Sequence, residues 1–163
     1  MNIRSWPLEQ IMQLPDCAFG ERWPIILQGA GSTGIPVYRI SMGALPEWTV
    51  IWEIWGSTCA TVGSWCRFRF RLGDQLPTTE AQFQGMDALF RGFEDYVGLG
   101  SAIMFNPVNP PTLRRLRVPV HAAGRRLVMG FDVTSAIAQP ICAGLVISSI
   151  PKEVPDWLIS GHR

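Results

Sequence analysis

The sequence predicts an all-β fold: a two-sheet antiparallel β-sandwich, jelly-roll-like, with about eight strands in one domain over residues 1–163. After Pro15, proline, glycine and aromatic residues recur about every 8–12 positions, which is the spacing of turns in such folds. The apolar runs between them are short and often alternate with polar residues. With 163 residues, of which 47% are hydrophobic and 17% charged, the chain is long enough to bury a core of its own.

A short N-terminal helix is predicted ahead of the strands, over residues 5–14. Ser5 supplies a capping side chain, Pro7 fits the first turn, and Pro15 ends the helix. Residues 1–10 contain polar side chains where a secretory signal peptide needs an apolar run. We therefore expect no signal peptide.

About eight apolar runs are predicted to be strands. They are residues 24–28, 37–42, 47–55, 64–72, 101–105, 113–121, 126–133 and 141–149. In the clearest of them, Phe68, Phe70 and Leu72 alternate with arginines, so these three side chains share the face that packs in the core. The Ser, Thr and Gly residues at 56–63 predict a hairpin that joins strands 47–55 and 64–72.

One segment departs from the strand pattern. From Thr79 onward, Phe83, Met86, Phe90 and Phe93 recur at the spacing of one helix face. This spacing predicts one or two short helices in a long connection that crosses between strands.

The sequence carries none of the common catalytic or metal-binding motifs. The cysteines lack the CxxC spacing of zinc sites, and only His121 and His162 could complete a metal or catalytic set. The glycine-rich run 29–34 is followed by Pro36 and a predicted strand, whereas a phosphate-binding loop needs a helix there. The uncharged stretch 133–151 is interpreted as a turn and a buried strand. We therefore predict no metal, no cofactor, no membrane insertion and no enzymatic activity.

Arginine is the first unusual feature of the composition, since every basic residue except Lys152 is an arginine and the net charge is only +1. Arginine forms bidentate contacts with carboxylates, which favours pairing with acidic patches within the chain or between subunits. Two alternatives are a solvated face and a phosphate-binding groove beside Trp65, although nucleic acid is not the expected partner. The predicted rows are Arg67, Arg69 and Arg71 on one strand and Arg114, Arg115 and Arg117, with Arg125 and Arg126, across a second predicted hairpin.

Tryptophan is the second unusual feature, with seven in the chain. Strand alternation predicts that Trp55 faces away from Trp48 and Trp52. If both faces of the sheet carry tryptophan, one ring lies outside a simple sandwich core and is a candidate for a protein interface or a sugar-stacking platform. The alternative is a wide core built from large side chains.

The predicted terminal arms, residues 1–24 and 152–163, carry Trp6, Trp23 and Trp157 outside the main strand pattern. Two roles are open for the arms. They dock onto neighbouring subunits, or they act as lids that close the ends of the sandwich.

Three stretches resemble small β-rich structural proteins of tailed-bacteriophage particles. They are LPDCAFGERWP at 14–24, RRLVMGFDV at 125–133 and PDWL at 155–158. The resemblance implies a virion protein, such as a head decoration or a head–tail or collar component, that is assembled in the host cytoplasm. Its expected partners are copies of itself and other virion proteins in a symmetric particle.

Two functions follow from these features. In the leading hypothesis, a non-enzymatic virion protein assembles through aromatic and arginine-rich interfaces. Their predicted residues are Trp6, Trp23, Trp65, Arg67, Arg69, Arg71, Arg114, Arg115, Arg117 and Trp157. The alternative is a carbohydrate-binding β-sandwich module that stacks sugars on Trp48, Trp52 or Trp55. The alternative predicts glycan binding by a monomer, whereas the leading hypothesis predicts a protein partner.

Overall fold

A computed structural model describes residues 2–3, 5–32, 36–58, 66–89, 112–133 and 139–160. Its strands are β1 (Trp23–Gly31), β2 (Val37–Ala44), β3 (Trp48–Thr58), β4 (Cys66–Gly73), β5 (Asp87–Ala88), β6 (Thr112–His121), β7 (Arg126–Val133) and β8 (Gln139–Ser149). Its helices are α1 (Leu8–Ile11), α2 (Glu80–Gln84) and α3 (Asp156–Ser160), with a 3-10 helix at Asp16–Ala18. The predicted strand 101–105 and the helical positions Phe90 and Phe93 lie outside the described residues.

The strands form the two antiparallel sheets of a jelly roll, which confirms the predicted fold class. The order of the first sheet is β1-β8-β3-β6, and that of the second sheet is β2-β7-β4-β5. Among the described strands, only β4 and β5 are consecutive in the chain and paired in one sheet. Every other step along the strand series passes from one sheet to the other, as in the double Greek key of a jelly roll.

Both predicted hairpins are therefore wrong. β3 pairs with β6 and β8, whereas β4 pairs with β5 and β7, so strands 47–55 and 64–72 belong to different sheets. β6 and β7 are likewise separated, although a short turn connects them. A turn within a sheet and a crossing between sheets join similar amphipathic strands, and the local sequence does not distinguish them.

The main core lies between the two sheets. Phe68, Phe70 and Leu72 all point into it, as the alternation in β4 predicts. Burial of each such side chain stabilises the fold by about 1.5–3 kcal/mol. The core's other buried side chains from the strands are Leu27, Ile51, Ile54, Leu127, Met129, Phe131, Ala143, Leu145 and Ile147.

A bulge in β3 changes the face on which one tryptophan lies. β3 pairs regularly with β8 as far as Ile51, but the register shifts by one residue before Glu53. Trp52 and Glu53 consequently both lie on the outer side of the first sheet, and Trp55 follows on the same side. The prediction that Trp55 faces away from Trp48 and Trp52 is wrong, because a bulge resets the two-residue alternation.

A second irregularity lies in β2, an edge strand of the second sheet. The buried hydroxyl of Ser41 donates to the carbonyl of Gly43 over 2.7 Å and accepts the N–H of Leu127 over 3.1 Å. The hydroxyl thus accepts the N–H of β7 that a main-chain carbonyl of β2 would accept in a regular sheet, and it stabilises the bulge. Met42, the next residue, is 98% exposed. Bulges on edge strands disfavour the addition of a strand from another chain.

Candidate interaction surfaces

The outer face of the first sheet is covered by residues 2–3, 5–20 and 150–158, which we call the terminal cap. Its two parts pair with each other through an antiparallel bridge between Asn2 and Glu153. The N–H of Ile3 also donates to the carbonyl of Lys152 over 3.0 Å. The parts of the predicted arms that belong to the terminal cap therefore lie on this chain's own first sheet. They cover a face of the sheet, whereas the prediction placed them as lids at the ends of the sandwich.

The cap encloses a second apolar cluster, which shares no member with the main core. β3 contributes Val50 and Trp52, and the partly buried Trp6 packs at its side. The cluster exists because α1 and the turns after it place apolar side chains towards the sheet. Its buried cap residues are Ile3, Ile11, Leu14, Ala18, Phe19, Ile150, Val154 and Leu158.

Trp52 lies at the centre of this cluster and is only 5% exposed. Its indole N–H donates to the hydroxyl of Ser148 over 2.8 Å, and its ring meets the edge of Phe19 with centroids 5.5 Å apart. The guanidinium of Arg22 lies 3.7 Å from the centroid, on the face of the ring. Trp52 is therefore not available to stack on a sugar, which corrects its place in the carbohydrate-binding alternative.

Asp16 joins two arginines at the margin of the cap. Its carboxylate lies 2.8 Å from the guanidinium of Arg22 and 3.6 Å from that of Arg117. Arg117 also donates to the carbonyl of Leu14, and its guanidinium lies 5.4 Å from the ring of Phe19. Arg117, one of the predicted interface residues, thus helps to hold the cap. Because all three charged side chains are about a third exposed or more, each ion pair contributes little to stability.

The outer face of the second sheet is covered by the connection that contains α2. Arg69 on β4 is only 8% exposed and donates from both terminal nitrogens to the carboxylate of Glu80. The hydroxyl of Tyr38 on β2 donates to the same carboxylate over 2.5 Å. Chiefly because of the hydrogen bond from Arg69, and despite partial burial, the pKa of Glu80 falls from 4.5 to about 2.

Phe83 fixes this connection to the sheet. The ring is fully buried, with the guanidinium carbons of Arg69 and Arg71 at 4.9 and 5.3 Å from its centroid. It lies over Gly130, where a Cβ would come within 2.8 Å of the ring. Arg71 donates to the carbonyl of Met86, which follows α2. Arg69 pairs with an acidic residue within the chain, which is one of the two kinds of pairing predicted, and it is not an accessible interface residue. Arg71 also acts within the chain, but its partners are main-chain carbonyls and the Phe83 ring.

The remaining members of the tryptophan group are half-buried. The ring of Trp48 packs against His121 at a tilt of 47° with centroids 4.5 Å apart, and His121 lies 3.7 Å from the carboxylate of Glu47. The ring of Trp55 lies over Gly144, where a Cβ would come within 3.0 Å of it. Neither ring therefore has two open faces.

The other predicted interface residues fall into three groups. Trp23, Arg115 and Trp157 are exposed, and Trp157 is 70% exposed. Arg67 and Arg114 are placed by backbone register alone, opposite Asp132 and Ile54. Trp65 lies outside the described residues.

Three exposed apolar side chains were not among the predicted site residues, and one of them, Leu76, lies on the connection before α2. Met42 stands on the β2 bulge, and Ile26 faces outward from β1 with 51% exposure. A bulge cannot be read from alternation, so no local signal identifies Met42. Ile26 follows Ile25 in a run of apolar residues, where the inward and outward positions look alike.

Within the described part of the chain, no three His, Cys, Asp or Glu side chains are grouped closely enough to hold a metal ion. Among the helices of that part, none has the length and apolar character that a membrane span requires. Comparison of the chain with protein-family models, with curated proteins and with solved structures found no match.

Proposed function

We propose that this protein is a non-enzymatic structural subunit of a virus particle that binds copies of itself and other virion proteins. The supporting observation is the jelly-roll strand order, since this fold recurs in viral capsid proteins and in lectin domains. One fold serves many functions, so the choice between the two depends on the surface. The resemblance of three sequence stretches to tailed-bacteriophage structural proteins favours the virion.

Exposed apolar side chains on well-supported backbone favour a protein partner. Trp157 lies on α3. Leu158 of the same helix and Val154 just before it are buried in the terminal cap. Met42 is presented by a bulge that the buried Ser41 holds. Large apolar side chains on a folded backbone serve as interface anchors because only the side chain has to be ordered when they bind.

The carbohydrate-binding alternative has less support from the geometry. A stacking platform needs an aromatic ring with an open face and polar groups around it. Trp52 is covered by Arg22, Trp48 packs against His121 at a tilt, and Trp55 lies over Gly144. Only the outward parts of Trp48 and Trp55 remain for a sugar.

Location in the particle is the first test. Antibodies raised against the purified protein should label intact virus particles from its source, and the label should persist after washing at high salt. Confinement of the protein to the non-particle fraction would overturn the virion assignment.

Self-association is the second test. Light scattering at low and at high salt should show an oligomer whose formation Trp157→Ala weakens without a change in melting temperature. Leu76→Ala is the matched control, because Leu76 is also exposed but lies on the connection before α2. A monomer that binds an immobilised glycan through Trp48 or Trp55 would favour the alternative.

A further inference from the structure

We infer that the N-terminal part of the terminal cap, residues 2–3 and 5–20, is exchanged between copies, so that one subunit covers the first sheet of another. This inference rests on the proposed function and names the partner of the cap surface as a second copy of the same chain. It also unites the two roles predicted for the arms, since the same contacts serve as a lid and as a link.

The terminal cap and the sandwich have separate apolar clusters. The cluster beneath the cap contains Val50 and Trp52, whereas the main core contains the inward side chains of both sheets. Residues 2–3 and 5–20 can therefore leave without opening the main core. Their departure uncovers Trp52 and Val50, and an identical segment from a second copy covers them with the same contacts.

A short link joins the terminal cap to β1 and limits how far the cap can move. Gly20 is the last cap residue held against β8, through a hydrogen bond of 3.1 Å from its N–H to the carbonyl of Ser149. Glu21 and Arg22 follow, and both are exposed, as are Trp23 and Pro24 at the start of β1. Trp23 and Pro24 pair with Ile147 and Val146 of β8, so the link consists of Glu21 and Arg22. From Gly20 to Trp23 an extended chain spans at most about 11 Å. Exchange is therefore restricted to subunits whose first sheets lie side by side.

The ion pairs that hold residues 5–20 also permit exchange. Asp16 binds Arg22 and Arg117 through ion pairs at the solvent-exposed margin of the cap. Such pairs are weak and screened by salt, and they form equally well across a subunit boundary. The segment is also held by the apolar cluster and by the main-chain hydrogen bonds of Ile3 and Gly20. None of these contacts depends on which copy supplies the segment.

At the β1 and β2 edges of the sheets, strand addition is a less suitable way to join copies. β2 carries the Ser41 bulge, and Arg39 donates to the carbonyl of Gln28 on β1 over 3.1 Å. Bulges and charged side chains are the usual means by which edge strands resist pairing with another chain. A segment that crosses over a sheet face avoids this obstacle.

A cross-link between two different chains tests the exchange directly. A Cβ at position 20 would lie 3.7 Å from the Cβ of Ser149, within the range of about 3.5–4.5 Å that a disulfide needs. One chain carries Gly20→Cys and the other carries Ser149→Cys. Both also carry Cys17→Ser, because Cys17 is exposed and close to position 20 in sequence. Neither chain can form the 20–149 bond within itself.

The two full-length chains are mixed in equal amounts, concentrated until light scattering shows a dimer or larger species, and oxidised gently. We expect a covalent dimer on non-reducing electrophoresis, with the 20–149 linkage identified by peptide mass spectrometry. If dimers form by random pairing, about half of them contain both chains and can carry this bond. Each variant alone gives the background, and Gly20→Cys mixed with Ala44→Cys, an exposed position on β2, is the matched control.

A 20–149 signal no greater than background in an oligomeric sample would overturn the exchange while leaving self-association intact. A sample that stays monomeric at every concentration would overturn both the exchange and self-association, and particle labelling would still test the virion assignment separately. If Gly20→Cys lowers the melting temperature, the bridged and exposed pair Asn2→Cys and Glu153→Cys replaces it with the same expected outcomes.

Discussion

The outer faces of the two sheets are both covered, but the covers are built differently. The terminal cap on the first sheet rests on a broad apolar cluster around Trp52, and its ion pairs lie at the exposed margin. The connection on the second sheet rests on one fully buried ring, Phe83, and on an ion pair between the buried Arg69 and the partly exposed Glu80. Arginine stacks on an aromatic ring in both covers.

The two covers also differ in how the chain attaches them to the sandwich, and we expect them to unfold differently. The α2 connection is joined to β4 on one side and to β5 on the other, and its Glu80 is bonded to Arg69 of β4. Within the described chain, the N-terminal part of the cap is joined to the sandwich through residues 21–22 only. We therefore expect the α2 connection to unfold together with the sandwich, and the cap to open by itself.

Phe83→Ala should produce the largest effect. It removes a fully buried ring between two guanidinium groups and leaves a cavity over Gly130, so we expect a loss of about 3–4 kcal/mol in the free energy of unfolding. Urea titration followed by tryptophan fluorescence measures this loss. Leu76→Ala, in the same connection but exposed, should change little. A loss below about 1 kcal/mol for Phe83→Ala would mean that the ring does not fix the connection.

Trp52→Ala should have the next largest effect, about 2–3 kcal/mol, since the cap can detach instead of enclosing the full cavity. Limited proteolysis should then cut within residues 5–20 while the sandwich stays intact. Trp52→Phe loses the bond to Ser148 and part of the buried ring volume but keeps an aromatic ring beneath Arg22, so it should show less cleavage than Trp52→Ala. Equal protection of the cap in all three proteins would contradict the independence of the cap.

Glu80→Gln should destabilise the protein by about 1–2 kcal/mol at neutral pH, less than for a fully buried pair because Glu80 is 36% exposed. The pKa of Glu80 is about 2 in the folded protein and 4.5 in the unfolded reference, so its contribution is complete above pH 4.5 and disappears as the pH falls towards 2. Urea midpoints of the wild type and the variant should converge over this interval. Glu9→Gln, at an exposed position, is the control, and a constant difference down to pH 2 would rule out the ion pair as the cause.

Asp16→Asn should have the smallest effect, about 0.5 kcal/mol or less, because the pairs with Arg22 and Arg117 are exposed to solvent. The difference between wild type and variant should vanish at high salt. Thermal unfolding at two salt concentrations measures it. A larger, salt-independent loss would show that the margin of the cap, and not Trp52, holds it in place.

Sequence reasoning succeeded where a pattern reports directly on burial. Alternation in β4 identified Phe68 and Phe70 as core residues, and helical spacing placed a helix near Phe83. It failed for Trp55, because a bulge left no trace in the pattern. The ion pair between Arg69 and Glu80 was missed as a specific contact, since its partner comes from a separate element.

Periodicity and composition were sufficient to establish an all-β sandwich and the buried face of β4, because burial leaves a regular mark along a strand. The choice of strand partners, the shift of Trp55 to the outer face and the docking of the arms on the first sheet emerged only in the folded chain. These features depend on contacts between residues far apart in sequence. An arginine or tryptophan next to an apolar run has the same local pattern whether it meets solvent, another subunit or a segment of its own chain.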